Sequence, residues 1–148
     1  MASWTVESFG PELVTKEGVV PTATALAGKS RIALYFSAHW CPPCRGFTPV
    51  LAEFYDQLAE EDPSQLAIIF VSSDSDQSSF NQYYGTMPWY SIPFGAKQIE
   101  TLGQKFHVSG IPALIVLDAA DGAIKDADGR STVAASKGVT SKATSKWA

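Results

Sequence analysis

Cysteine is scarce in this sequence. Two of the 148 residues are cysteines, Cys41 and Cys44, and both belong to one local motif. Two cysteines cannot build the dense disulfide framework of a small secreted domain, whereas a close pair is typical of a catalytic dithiol in a reducing compartment. Zinc binding is disfavoured, because a tetrahedral site needs four ligands and only His39 and His107 could supplement the cysteines. We therefore predict no metal site.

An excess of positive charge and a long apolar run are also missing. The chain has 11 Lys and Arg against 15 Asp and Glu, a net charge of −4 and a pI of about 5.0. Nucleic-acid or membrane-surface binding is therefore not indicated, and no apolar segment has the length to cross a bilayer. The start, Met1–Glu7, lacks the basic and apolar regions of a secretory signal. We expect a cytoplasmic protein with no nucleic-acid or membrane partner.

Strand and helix patterns alternate along a chain long enough for one domain with a sizeable core. Continuous apolar runs predict buried central strands, and apolar residues at helical spacing predict amphipathic helices. The predicted strands are Glu12–Thr15, Val19–Thr22, Arg31–Phe36, Leu66–Val71, Ala113–Leu117 and an edge strand near Ile124, and the predicted helices are Pro42–Glu60, Asp76–Thr86 and Lys97–Phe106. This order predicts an α/β fold with a central sheet and helices on both faces.

The C-terminal segment differs in composition from the rest. Residues 131–148 are rich in Ser, Thr, Ala and Lys and offer little to bury. We predict one domain over residues 1–130, followed by a low-complexity tail over residues 131–148 that is mobile or loosely docked.

Both cysteines lie in the segment Trp40–Arg45, where an apolar strand pattern ends and a helical pattern begins. Two thiols three residues apart lie on one face of a first helical turn and can close a small disulfide ring. The unpaired N–H groups and the dipole at a helix N-terminus favour the thiolate form. The residues alone therefore indicate thiol–disulfide exchange, and a static disulfide or an idle buried pair is the structural alternative.

The segment Ser37–Pro49 resembles the active-site segment of the tryparedoxin and nucleoredoxin branch of the thioredoxin superfamily. Three further segments resemble that branch in the same order, namely Phe70–Asp74, Met87–Phe94 and Phe106–Leu114. The resemblance extends from about Ala27 to Arg130 and implies a thioredoxin-like fold with a mixed sheet. The single-domain length resembles a tryparedoxin, whereas two local features, His39 and the Ser72-Ser73-Asp74 turn, look more like nucleoredoxin.

Cys41 is the predicted nucleophile, because it is first in the motif and nearest the helix N-terminus. Its thiolate would attack a substrate disulfide, and Cys44 would then attack Cys41 and release the reduced product. No cofactor is expected beyond the redox-active Cys41–Cys44 disulfide. Thioredoxins usually keep a buried aspartate where this chain has Tyr35, so proton transfer would use another group. Asp74 and Asp76 are candidates, and Asp76 is better explained as a helix N-cap.

Further residues form the predicted substrate-binding set. Trp40 would form a flat wall at the active-site rim, or else a core tryptophan. Arg45 would stabilise the thiolate or contact an anionic group, or else remain a solvated charge. The prolines beside the sulfurs remove two amide donors there. The complete predicted set is Trp40, Pro42, Pro43, Arg45, Asp74, Trp89, Ile111, Pro112 and Arg130.

Several members of this set rest on the resemblance. Ile111-Pro112 matches the cis-proline of the superfamily, where the exposed backbone could pair with an extended substrate. Trp89 belongs to the Met-Pro-Trp loop. Arg130 aligns with a branch arginine implicated in binding a glutathionylspermidine-type substrate, and Asp128 stands where the branch has another arginine.

The sequence therefore predicts a monomeric, tryparedoxin-like oxidoreductase that reduces protein disulfides, with peroxiredoxins as the first expected acceptors. Its expected donor is a low-molecular-weight dithiol such as trypanothione, or a reductase. One alternative is a nucleoredoxin-like redox regulator. Another is a non-catalytic module that binds partners in the cis-proline groove.

Overall fold

A computed structural model describes residues 4–148 of the chain. Helices and strands alternate along most of this range. The elements in chain order are α1 (Trp4–Phe9), β1 (Glu12–Thr15), β2 (Gly18–Pro21), α2 (Thr22–Leu26), β3 (Arg31–Ser37), α3 (Pro42–Glu61), β4 (Leu66–Ser72), α4 (Gln77–Tyr84), β5 (Tyr90–Ser91), α5 (Gln98–Lys105), β6 (Ala113–Asp118), β7 (Ile124–Asp126), α6 (Gly129–Ser136) and α7 (Thr140–Trp147).

The strands form one seven-stranded sheet in the order β2-β1-β5-β4-β3-β6-β7. β3 pairs in parallel with β4, and β4 with β5, while β6 lies antiparallel to β3. The sheet is therefore mixed, as predicted. Every residue of β4 is buried, which explains why its sequence is a continuous apolar run rather than an alternating one.

Alternate residues of the central strands face two separate cores. On one face, β3 and β4 pack against the apolar stripe of α3, which includes Phe47, Leu51 and Leu58. On the other face, the same strands pack with Phe9 and Leu102 from the elements that cover that side. A fully buried side chain of this size stabilises the fold by about 1.5–3 kcal/mol, so both layers matter for stability. The predicted helices on both faces are confirmed.

The C-terminal segment corrects the expectation of a mobile tail. It forms most of α6 and all of α7, and Trp147 is only 2% exposed. The Trp147 ring packs edge-on against Phe54 with ring centroids 5.8 Å apart, and its Nε1 donates to Asp126 Oδ2 at 3.0 Å. Arg31 Nε donates to the Trp147 carbonyl oxygen at 2.6 Å. One aromatic anchor and its polar partners therefore dock a segment whose composition is otherwise small and polar.

Gly129 explains how closely α6 approaches the sheet. A Cβ atom at this position would lie 2.9 Å from the carbonyl oxygen of Leu114 in β6, which is too close for any other residue. Within residues 4–148, no helix is long and apolar enough to span a membrane.

Candidate active site

The two cysteines lie where β3 leads into α3. Cys41 is the N-cap of α3, and its Sγ accepts a hydrogen bond from the Cys44 backbone N–H at 3.3 Å. Pro42 and Pro43 occupy the first two helical positions, where the backbone N–H groups have no intrahelical acceptor in any case. The sequence therefore starts the helix at the cysteine and aims its N-terminal dipole at the sulfur.

The structure joins Cys41 and Cys44 in a disulfide with a Cα–Cα distance of 5.2 Å. Cys41 retains 5% of its surface exposure, whereas Cys44 is fully buried behind it. A substrate can therefore approach Cys41 but not Cys44. This asymmetry agrees with Cys41 as the attacking sulfur and Cys44 as the resolving one.

The Ile111–Pro112 peptide bond is cis, as predicted, and is the only cis peptide bond in the part of the chain that the structure describes. The Ile111 carbonyl oxygen lies 3.9 Å from Cys41 Sγ. The loop before β6 therefore contributes its backbone directly to the surroundings of the reactive sulfur.

Trp40 lies at the rim of the site rather than in the core. Its side chain is 59% exposed, and its Nε1 donates to the Ser73 carbonyl oxygen at 3.0 Å. The neighbouring Pro42, Pro43 and Arg45 are also exposed. These four residues surround the entrance to the disulfide and are available to contact a substrate.

Asp74 has a different role from the one predicted. It is 9% exposed; one carboxylate oxygen accepts from the His39 backbone N–H at 2.7 Å, and the other accepts from the Ser72 hydroxyl at 2.8 Å. The Ser73 N–H also donates to the Ser37 carbonyl oxygen at 2.9 Å. One oxygen of Asp74 therefore holds the segment before Cys41 and the other holds its own turn, so this buried carboxylate is a structural support of the site.

Asp76 is the N-cap of α4, as predicted. Its carboxylate accepts from the Ser79 backbone N–H at 2.7 Å, and the hydrogen bonds from Ser79 hold the pKa of Asp76 below its usual value.

Trp89 also departs from the prediction. Its side chain is 4% exposed and packs edge-to-face against Tyr35 and Tyr55, with ring centroids 5.9 and 5.8 Å away. Its Nε1 has no hydrogen-bond acceptor among residues 4–148. A tryptophan enclosed in this way supports the core beneath the site and does not present a surface to a substrate.

Arg130 is exposed at the second position of α6. Asp128 caps the same helix, accepting from the Ser131 N–H at 3.4 Å. The structure assigns Asp128 a capping role, while the substrate-binding role of Arg130 stays a prediction.

A network of buried hydroxyl groups behind Cys44 was not predicted. Thr48 Oγ1 donates to the Cys44 carbonyl oxygen at 2.9 Å and lies 2.7 Å from Tyr35 Oη and 2.6 Å from Tyr83 Oη. Tyr83 Oη lies 2.6 Å from Ser37 Oγ. Burial raises the pKa of Tyr35 well above its usual range, so its hydroxyl stays protonated at neutral pH. The replacement of the usual aspartate by Tyr35 was the only signal in the sequence.

A groove of about 970 Å³ runs beside the site along α3. Arg45 and His39, which flank the cysteine motif in sequence, line it together with Tyr83. Further along α3 its lining is acidic, with the carboxylates of Glu53, Asp56 and Glu60. The groove therefore combines one positive charge close to the sulfurs with negative charge farther away.

This fold and this cysteine pair define the thioredoxin-like family, to which the chain belongs, and the family model matches residues 29–124. Within it, the chain is an oxidoreductase related to tryparedoxin and nucleoredoxin, with Cys41 and Cys44 positioned as a redox pair.

Two relatives and one solved structure illustrate this relationship. Tryparedoxin of Trypanosoma brucei brucei is 44% identical over 122 residues, which cover 82% of each chain. Probable nucleoredoxin 1 of Arabidopsis thaliana is 49% identical over 102 residues, which are 69% of this chain but only 17% of that protein. The structure of tryparedoxin II complexed with glutathionylspermidine superimposes with a TM-score of 0.81 at 34% identity, covering 90% of this chain and 93% of that one.

Proposed function

We propose that this chain is a tryparedoxin-like reductase of protein disulfides, with peroxiredoxin-type proteins as acceptors. The observation that carries the proposal is the asymmetric disulfide, in which Cys41 caps α3 and retains 5% exposure while Cys44 is fully buried behind it. A reducing compartment such as the cytoplasm would keep the dithiol available.

The reaction proceeds in two exchanges. The Cys41 thiolate attacks one sulfur of the substrate disulfide, forming a mixed disulfide and releasing the other sulfur as a thiolate that takes up a proton. The Cys44 thiol then loses its proton and attacks Cys41, which forms the intramolecular disulfide and releases the second substrate thiol. The substrate gains two electrons, and the protein dithiol is oxidised.

The surface around Cys41 fits an extended polypeptide. Trp40 and the two prolines give an apolar rim, and the Ile111 carbonyl oxygen beside Cys41 Sγ offers a backbone acceptor. A substrate strand could donate an N–H to this oxygen while its disulfide faces Cys41. We assign substrate binding to Trp40, Pro42, Pro43, Arg45, Ile111 and Pro112.

Single cysteine variants test the order of attack. We expect Cys41→Ser to lose insulin-disulfide reduction, and Cys44→Ser to accumulate a covalent mixed disulfide with its substrate. Non-reducing electrophoresis and mass spectrometry would identify the adduct. Normal reduction by Cys41→Ser would refute the nucleophile assignment, and normal turnover by Cys44→Ser would refute the resolving role. A wild-type chain that binds partners without reducing them would instead support the non-catalytic module.

For the electron donor we propose a low-molecular-weight dithiol of the trypanothione type. Its polyamine portion is cationic, which matches the carboxylates of Glu53, Asp56 and Glu60 in the groove. A related tryparedoxin has been crystallised with glutathionylspermidine. Arg130 would contact an anionic group of the same donor, in keeping with its place in the resemblance.

A donor assay tests this proposal against a nucleoredoxin-like regulator, which His39 and the Ser72-Ser73-Asp74 turn favour. We expect the Cys41–Cys44 disulfide to be reduced rapidly by trypanothione and slowly by thioredoxin reductase with NADPH. Dithiothreitol, which is uncharged, serves as the control dithiol. Preference for thioredoxin reductase would overturn the donor assignment while leaving the disulfide chemistry intact.

A further inference from the structure

The hydroxyl network behind Cys44 converges on the carbonyl oxygen of that residue. Thr48 Oγ1 lies 2.9 Å and Tyr35 Oη 3.4 Å from this oxygen, and each hydroxyl can donate to it. A hydroxyl has one proton and two acceptor lone pairs, so Thr48 can also hydrogen-bond both Tyr35 and Tyr83. Ser37 joins the network through Tyr83.

The network connects three separate elements of the fold. Tyr35 and Ser37 belong to β3, Thr48 to α3 and Tyr83 to α4. The four side chains are at most 3% exposed, so these hydrogen bonds are largely shielded from water. Thr48 is the central residue, because both tyrosine hydroxyls lie within 2.7 Å of its Oγ1.

Cys41 is held by a different set of contacts. The segment before it is fixed by the hydrogen bonds from His39 to Asp74 and from Trp40 to Ser73. The hydroxyl network bonds to the carbonyl oxygen of Cys44, one turn before Thr48 on the same helix. Its hydrogen bonds therefore act on the Cys44 backbone, whereas those of Asp74 and Ser73 act on the segment before Cys41.

The geometry points to Thr48 as a positioning residue for the resolving step, with Tyr83 and Tyr35 holding Thr48 in place. In that step the Cys44 thiol loses its proton and attacks Cys41 Sγ; the Cys41–substrate bond breaks, and the leaving thiolate is protonated. Fixing the Cys44 backbone raises the effective concentration of its thiol next to Cys41. This inference rests on the cysteine roles proposed above and does not depend on the identity of donor or acceptor.

The test uses the matched variants Thr48→Val and Thr48→Ser in a glutathione redox buffer. Thr48→Val keeps the branched shape but removes the hydroxyl. We expect about a tenfold lower equilibrium constant for closing the Cys41–Cys44 disulfide, because a less constrained Cys44 has a lower effective concentration next to Cys41. A larger fraction of protein should carry glutathione on Cys41. Thr48→Ser should restore most of the wild-type value.

Alkylation of Cys41 tests the reactivity of the attacking sulfur alone, in the Cys44→Ser and Cys44→Ser/Thr48→Val proteins. In the Cys44→Ser background, Thr48→Val should leave the alkylation rate of Cys41 by iodoacetamide unchanged.

Tyr83→Phe is a milder change that keeps the ring. It should lower the equilibrium constant for closing the Cys41–Cys44 disulfide by a smaller factor than Thr48→Val. It provides the test if Thr48→Val does not fold, as judged by circular dichroism.

Two results would overturn the inference. One is a folded Thr48→Val protein, or a folded Tyr83→Phe protein, with the wild-type glutathione equilibrium. The other is slower alkylation of Cys41 in the Cys44→Ser/Thr48→Val protein, by the same factor as the equilibrium constant falls. Failure of the proposed function would look different, because the wild-type chain would then not reduce protein disulfides although its cysteines still equilibrated with glutathione.

Discussion

A single carboxylate, Asp74, links the turn after β4 to the segment that carries Trp40. It accepts the His39 N–H at 2.7 Å, and the next carbonyl along the turn, that of Ser73, accepts the Trp40 indole N–H. At the scale of one residue, Asp74 thus fixes the rim of the active site without touching the sulfurs. This arrangement requires an acceptor oxygen at this position but not a negative charge.

Two substitutions at Asp74 separate support from proton transfer. Asp74→Asn keeps an oxygen for the His39 N–H, and we expect it to retain most of the disulfide-reducing activity with an unchanged pH profile. Asp74→Ala leaves a partly buried N–H unpaired and should lower the free energy of unfolding by about 1–3 kcal/mol. Urea unfolding and insulin reduction measure the two effects. Loss of activity in Asp74→Asn without loss of stability would instead favour a proton acceptor.

At the scale of elements, the C-terminal helices depend on one buried carboxylate. Asp126 is 5% exposed and accepts from the Thr132 hydroxyl at 2.6 Å, from Trp147 Nε1 at 3.0 Å and from the Asp128 N–H at 2.9 Å. Burial raises the pKa of Asp126, but these donors together with Lys146 outweigh it, so the net pKa is lowered. The charged carboxylate is therefore the form that joins α6 and α7 to β7.

The lowered pKa of Asp126 determines the direction in which the free energy of unfolding changes with pH. The unfolded chain binds a proton at Asp126 more readily, so the stabilisation is complete above the unfolded pKa of about 3.9 and is lost as pH falls through the lower folded value. We expect Asp126→Asn to lower the free energy of unfolding at pH 7 by about 1–3 kcal/mol, with the difference from wild type shrinking below about pH 4.

Urea unfolding at several pH values measures this dependence. Glu7→Gln is the matched control, because Glu7 is exposed on α1 and its amide variant should unfold like wild type. An Asp126→Asn effect of constant size from pH 7 to pH 3 would contradict the prediction.

At the scale of the whole molecule, the parts that sequence predicted are those with local patterns. The continuous apolar runs of β3 and β4 located the central strands, and the cysteine pair located the active site at the start of α3. Resemblance supplied the Ile111–Pro112 loop, because no local pattern separates a cis from a trans proline.

The parts that were missed depend on contacts between distant segments. Three different elements carry Tyr35, Thr48 and Tyr83, and their spacing in the sequence does not predict that their hydroxyl groups hydrogen-bond one another. Trp147 is buried against Phe54 and Asp126, which lie far from it in the sequence. The docking of the C-terminal helix depends on tertiary packing, which amino-acid composition alone does not predict.

The two edges of the sheet bear on how the protein behaves at high concentration. One edge is the four-residue strand β2, which begins at Gly18 with a φ of +120° and ends at Pro21, a residue without an N–H donor. The other is the three-residue strand β7, which is irregularly paired to β6 and carries Lys125. Short, interrupted or charged edges are poor templates for adding a foreign strand. The margins of this sheet therefore resist the lasting strand addition that leads to aggregation.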